Sequence, residues 1–212
     1  PRYASVKSET DEAALGERAR IWFIRNDEFF KRKELYGDKF GDYADNLERF
    51  AYFARETLER CKKENFKPDI IHCNHFQTAL IPVYLNTLYK YDPFFNGTTR
   101  TLFTIHNLAY QGLFDREEFP KTGLDWSLFD IKYFEFYGKV NLMKAGLIYA
   151  DAVSTVSPTY AKEIMTEELG CGLEGVLRAR ADTVAGILNG IDYGVWNPQT
   201  DRKICKRYSA ET

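Results

Sequence analysis

Arg100–Phe114, RTLFTIHNLAYQGLF, decides how this chain is read. Thr101–Ile105 is apolar and rich in β-branched and aromatic residues, the composition of a buried strand. His106 and Asn107 arrive where that strand ends, and Tyr110-Gln111-Gly112 reads as a loop. A buried parallel strand ending in His-Asn delivers an imidazole and an amide to the carboxyl edge of a sheet, where ligands bind in open α/β folds. His106 is therefore either a ligand-facing group or a histidine that satisfies a local hydrogen bond, and this stretch alone leaves both open.

Upstream, Lys67-Pro68-Asp69 opens a second short strand, Ile70–Cys73. Asn74-His75-Phe76-Gln77 follows at once, then a helix over Thr78–Tyr89 with Pro82 in its first turns. Three polar groups in four residues between a buried strand and a helix point to a site, or to capping by Asn74. Asp45–Asn65 predicts an amphipathic helix, because Leu47, Phe50, Ala51, Ala54, Leu58 and Cys61 recur at three- and four-residue spacings. Asp45 suits its N-cap and Lys62-Lys63 its C-terminal dipole. Before it, Arg20–Arg25 (RIWFIR) reads as a strand and Asn26–Asp42 as a surface loop. Tyr36 in that loop is a packing ring by default, or a ring offered to a ligand. Residues 1–19 are polar and weakly patterned.

Downstream, Phe114–Phe129 reads as an irregular excursion with Pro120 and Gly123, a candidate substrate-facing loop. Ile131–Ala150 predicts a helix and Asp151–Val156 a strand. Ser157-Pro158 makes a good helix start, with Ser as N-cap and Pro at the first position, for a helix to about Leu169. Gly170-Cys171-Gly172-Leu173-Glu174-Gly175 fits G-x-G-x-x-G but follows a helix instead of a strand, so it reads as a C-cap glycine and a turn. That argues against a nucleotide-dependent oxidoreductase. Val184–Leu188 is the last strand and ends in Asn189-Gly190-Ile191-Asp192. Strands alternating with helices predict an α/β fold, a Rossmann-like parallel sheet with helices on both faces. Four strand ends carry polar groups: His72–His75, His106-Asn107, Ser157 and Asn189. Converging on one sheet edge, they outline a small-molecule crevice.

The 212 residues are enough to bury a core. Basic residues number 29 against 31 acidic, a net charge of -2, so no basic field is available for nucleic acid or anionic membrane. No apolar run reaches transmembrane length. Aromatics at 16% suit a large core or a sugar-binding surface. Cys61, Cys73, Cys171 and Cys205 form no Cys-x-x-Cys pair and, with three histidines in all, argue against structural zinc. They read as reduced thiols of a cytoplasmic protein without a signal peptide, in which the glycosylation pattern at Asn96-Gly97-Thr98 is idle.

Taken together, KPDIIHCNHFQTALIPVYL, FTIHNLAYQGLF, LMKAGLIYADAVSTVSPTYAKEI, GLEGVL and GILNGIDYGVWNPQTD resemble the N-terminal domain of bacterial glycogen synthases and plant starch synthases, in order, from about Ile21 to Asp201. The resemblance implies a GT-B glycosyltransferase with two Rossmann-like domains and the active site between them. It implies glucose transfer from ADP-glucose (UDP-glucose in some members) to the non-reducing end of an α-1,4-glucan, glycogen or starch. Configuration is retained, and no metal or other cofactor is used. A bacterial member is cytoplasmic, a plant member plastidic. His106 matches the family histidine beside the transferred glucose, where it contacts a sugar hydroxyl and the developing charge. Asn107 and Asn189 match polar residues of the same cleft, and Tyr36 in ELYG matches a loop tyrosine near the glucose. His75 and Gln77 fall in the substrate-binding motif after the second strand.

Three departures follow from the same resemblance. The family's first strand with its Lys-Thr-Gly-Gly phosphate loop is not in this sequence, and neither is the C-terminal domain with its Arg, Lys and Glu. The chain thus reads as one incomplete N-terminal domain over 1–212, inactive in isolation. Where the family usually has His-Cys-Asn-Asp-Trp-Gln, this chain has His72-Cys73-Asn74-His75-Phe76-Gln77. A carboxylate and an indole that face the sugar are replaced, which keeps a second reading in play: a non-catalytic glucan-binding or interaction module derived from such an enzyme.

Overall fold

The computed structural model describes residues 9–15 and 19–211. Glu9–Leu15 (β1) and Ala19–Arg25 (β2) pair antiparallel. RIWFIR is thus a strand, as expected, but it pairs with β1 and stays outside the parallel sheet. The expected loop at 26–42 contains a single helical turn, Asp27–Phe30 (α1), capped by Asn26, whose Oδ1 accepts from Phe29 N at 3.1 Å. It closes with a minimal hairpin, Gly37–Asp38 (β3) and Gly41–Asp42 (β4).

The amphipathic helix is present as Asn46–Lys63 (α2), with Leu47, Ala51, Ala54 and Leu58 fully buried. Asp45 occupies the N-cap position but makes no side-chain cap. Its carboxylate is taken by the Arg32 guanidinium, with Nη1 donating to Oδ1 at 2.7 Å, because a charged fork competes better for it than a backbone N–H.

Ile70–Asn74 (β5) runs through a 3₁₀ turn, Phe76–Thr78, into Leu80–Asn86 (α3), and Arg100–Ile105 (β6) follows. Leu113–Asp115 (β7), Glu135–Phe136 (β8) and Lys139–Asn141 (β9) form a small antiparallel sheet in the order β7-β9-β8. Leu142–Tyr149 (α4), Ala152–Thr155 (β10), Pro158–Glu163 (α5), Glu174–Arg178 (α6) and Val184–Gly186 (β11) complete the chain. Four strands make the main sheet, all parallel, in the order β11-β10-β6-β5.

That order steps in one direction, so right-handed crossovers place α3, α4 and α5 on one face. Packing agrees: a Cβ added to Gly146 of α4 would meet both the Phe103 ring and Ala79 at 2.9 Å, and one added to Gly186 would strike Ser157 and Pro158 at the start of α5. Phe103, Cys73 and Val153 lie side by side in register on this face and are fully or almost fully buried. The opposite face carries Ile70, 65% exposed, beside exposed His72 and Asn74. Its centre is polar: His72 Nε2 meets Thr104 Oγ1 at 2.6 Å, and Thr104 Oγ1 meets Ser154 Oγ at 2.6 Å.

Three expected elements change. The helix expected at 131–150 exists only as α4. Its first half is the β8–β9 hairpin, closed by Tyr137 and Gly138 with φ of 49° and 80°. Two successive positive φ values are the signature of a tight hairpin turn. The excursion at 114–129 is folded into the core: 3₁₀ turns at Arg116–Thr122 and Trp126–Leu128 bury Phe119 against Trp126, Phe129 and Phe134. The helix from Ser157 ends at Glu163, and turns fill the distance to Gly172. Among the described residues the glycine motif has no strand before it, as expected.

Candidate active site

Two strand ends build the site. β5 and β6 pair through Asn74 and Thr104, so Asn74 and His106, two residues beyond Thr104, emerge on the same side of the carboxyl edge. His106 Nε2 lies 2.9 Å from Asn74 Oδ1. An amide oxygen only accepts, so Nε2 donates its hydrogen in this bond and Nδ1 is left to face a ligand.

His75 continues the ladder by donating its N–H to Thr104 O at 2.9 Å, then turns sharply with φ 63° and ψ 177°. That backbone region is essentially reserved for glycine, and a histidine held there stores strain, as functional residues do. The reversal is held by Thr78, whose N and Oγ1 donate to His75 O at 3.1 and 3.0 Å. It brings the His75 ring to within 6.3 Å of the His106 ring and 6.4 Å of Tyr110. Nδ1 of His75 is buried with no partner among the described residues. Burial first, and the neighbouring His106 second, hold the His75 pKa below its ordinary value, so the ring is neutral at pH 7.

Phe76 fixes this turn from beneath. Its ring meets Phe50 of α2 edge-on at 5.6 Å and lies against Gly112, where an added Cβ would come within 2.3 Å of the ring. Gly112 also has φ 66°. The loop carrying Tyr110 is tied down from the other end by a buried amide chain. Asn141 Nδ2 donates to Gln111 Oε1 at 2.6 Å, and Gln111 Nε2 donates to Cys171 O at 3.0 Å. The same Asn141 caps α4 by accepting from Lys144 N at 2.9 Å.

The sequence-predicted residues divide accordingly. His75 and His106 come together. Tyr36, half-exposed and edge-on to Phe50 at 6.5 Å, and Gln77 line one cavity of about 450 Å³ that begins two residues beyond His75. Asn107 stands at the edge, but its Oδ1 accepts from Ala109 N at 3.0 Å and shapes its own loop. All four strand ends reach the same carboxyl edge, as an all-parallel sheet requires, but not all of their polar groups are left for a ligand. Ser157 spends its hydroxyl capping α5, accepting from Tyr160 N at 2.8 Å. His72 sits within β5 on Thr104. Asn189 is exposed beyond β11, which β10 separates from β6. Asn74, expected either in a site or as a helix cap, caps no helix and holds His106 instead, while Tyr110, Gln111 and Asn141 were missed as site-building residues.

What the edge offers is an array of hydrogen-bonding groups without a carboxylate, two imidazoles, an amide and a phenol, held at the strand ends and the loop beside them. Such a set suits an uncharged polyhydroxylated ligand.

The comparisons with known proteins agree with this geometry. Residues 3–179 match the family model described as the starch synthase catalytic domain. The chain is 48% identical to a glycogen synthase of Thermodesulfovibrio yellowstonii over 99% of its own length and 43% of that protein's. It is 53% identical to a glycogen synthase of Koribacter versatilis over 95% of its length and 41% of the relative's. It is also similar to the catalytic domain of starch synthase IV from Arabidopsis thaliana bound to ADP and acarbose, with a TM-score of 0.80 and 35% identity over 96% of this chain and 41% of that one. The chain thus spans about two fifths of the length of the relatives it matches. On its sheet, its strand-end histidines and these matches, the chain belongs to the starch and glycogen synthase catalytic-domain family.

Proposed function

We propose that this chain supplies the N-terminal half of a GT-B active site that transfers glucose from ADP-glucose to an α-1,4-glucan, with retention of configuration and without a metal. The observation that carries the reading is His106, fixed by Asn74 at the carboxyl edge with Nδ1 left free beside His75. In this role Nδ1 contacts a hydroxyl of the transferred glucose, and the neutral His75 adds a hydrogen bond without adding positive charge near an electron-poor sugar transition state. The donor's diphosphate needs cationic partners, and the edge described above has none. Those partners belong to a C-terminal domain outside this sequence, so the 212 residues alone carry no transfer activity. The protein works in the bacterial cytoplasm, or in the plastid if its source is a plant. The test is incubation with ADP-[14C]glucose and glycogen. A full-length protein containing this chain incorporates label, and the isolated chain stays at the no-enzyme level. Incorporation by the isolated chain, or none by the full-length protein, overturns the reading.

His75 and Phe76 favour a second reading, a glucan-binding module without transfer, because they stand where the family usually has Asp-Trp. A full-length protein that retains glycogen but does not lengthen it would establish that reading.

A further inference from the structure

Another cavity, of about 570 Å³, lies between α4, α6 and the turn at Ile131-Lys132, a volume within the range of small-molecule sites. Ile131, Ile148 and Val176 give it aliphatic walls, and its charged groups are all cations: Lys132, Lys144 and Arg180. None of the three makes a salt bridge among the described residues. Arg180 has spent its hydrogens. Its Nη1 donates to Leu147 O and Ile148 O at 2.7 and 2.9 Å, its Nη2 to Asp151 O at 3.1 Å and Thr183 Oγ1 at 3.3 Å, and its Nε to Thr183 Oγ1 at 3.3 Å. It therefore brings fixed charge to the cavity instead of a donor. β10 begins at Ala152, so these carbonyls put the cavity toward the amino edge of the parallel sheet, away from His75 and His106. Lys144 is 6% exposed and keeps one hydrogen: its Nζ donates to Glu135 O at 2.6 Å and to Ile131 O, and an ammonium has three. Lys132 is exposed, and its ammonium makes no hydrogen bond among the described residues. Burial lowers the pKa of Lys144 and of Arg180; Glu135 and Asp130 near the one, and Asp151 near the other, offset only part of that. A buried cation without a counter-charge gains from an anion brought beside it. The adjoining recess toward the β8–β9 hairpin also borders on Lys144 but contains Glu135 and Glu174, so it repels what the Lys132 side attracts.

We propose that this cavity binds a small organic phosphate monoester, with the phosphate against Lys144 and Lys132 and the carbon body against Ile131, Ile148 and Val176. A dianion answers three positive charges better than a carboxylate does, and aliphatic walls favour an ester over free phosphate. The site is separate from the histidine edge, and it stands or falls independently of the glucosyltransferase reading. The test uses the 212-residue chain with labelled isoleucine methyls, followed by NMR. The probes are phenyl phosphate, benzoate, benzyl alcohol and inorganic phosphate. Phenyl phosphate should shift the Ile131 and Ile148 methyls saturably and bind about tenfold more tightly than each of the others, and added salt should weaken it. Lys132→Gln removes one charge and Ala179→Glu places a carboxylate on the cavity wall. Both positions are exposed, so the variants keep the fold, and they should raise the phenyl phosphate Kd about fivefold and about twentyfold. Lys144→Met should remove saturable binding, with thermal melts to verify its fold; if it does not fold, the two exposed variants decide. Equal affinity for benzyl alcohol would reduce the site to an apolar crevice and overturn the proposal. Equal affinity for benzoate or inorganic phosphate would overturn the assignment to a phosphate ester. Absence of any methyl shift, or unchanged affinity in Lys132→Gln and Ala179→Glu, would remove the site altogether.

Discussion

At the scale of single residues, the site depends on His75 holding an unfavourable backbone conformation with a neutral ring. Burial and His106 both disfavour its charged form, so the folded protein binds fewer protons here than the unfolded chain. The sign follows from linkage: this contribution is intact above the ordinary value of 6.5 and is lost as pH falls below it. NMR titration should place the His75 midpoint below 6.5, and His106→Asn should move it upward. A midpoint at or above 6.5 would show that the ring is not sequestered as described. In the full-length enzyme, His75→Asp restores a charge-assisted acceptor. It should raise kcat/KM about tenfold, roughly 1.4 kcal/mol, with the larger gain at low pH. Phe76→Trp is tested alongside it, because neighbours in one site are seldom additive. Gly112 is the other sensitive position. Gly112→Ala must accept a positive φ and push the Phe76 ring aside, costing about 3 kcal/mol in urea unfolding. A loss under 1 kcal/mol would mean that the ring moves freely.

At the scale of elements, what could be read from the sequence depended on whether local pattern and tertiary role coincide. β5, β6 and β10 were legible because each begins as a short run of apolar and β-branched residues and passes abruptly into polar ones. The β8–β9 hairpin was not, because Tyr137-Gly138 lacks the usual Asn-Gly signature and the apolar residues around it run on into α4. His75 and His106 were legible as strand-end groups. Ser157 and Asn189 looked equivalent to them in sequence, but Ser157 is spent on capping α5 and the order β11-β10-β6-β5 sets β10 between the strand of Asn189 and that of His106, an order not written in any one strand. Asn141 shows what an element boundary can carry. It caps α4 and also holds Gln111, and through it the Tyr110 loop. Asn141→Ala removes the cap, about 1 kcal/mol, and strands the buried Gln111 amide at about 1–3 kcal/mol more. Chemical denaturation should therefore show a total loss of about 2–4 kcal/mol. A loss confined to the capping value would remove the amide chain from the account.

At the scale of the whole molecule, the chain is a sheet with its crossover helices on one face and an edge of polar groups at its carboxyl end. The fold and the family follow from that arrangement and from the matches along nearly the whole sequence. The substrates rest on what the edge does with a sugar. The most direct measurement is the steady-state rate of glucose transfer from ADP-[14C]glucose to glycogen by the full-length enzyme carrying His106→Ala. Removing one oriented polar group that acts in the transition state should lower kcat about 10²-fold, with the melting temperature and the glycogen KM little changed. A His106→Ala enzyme with near wild-type kcat would contradict the placement of the transferred glucose at this edge.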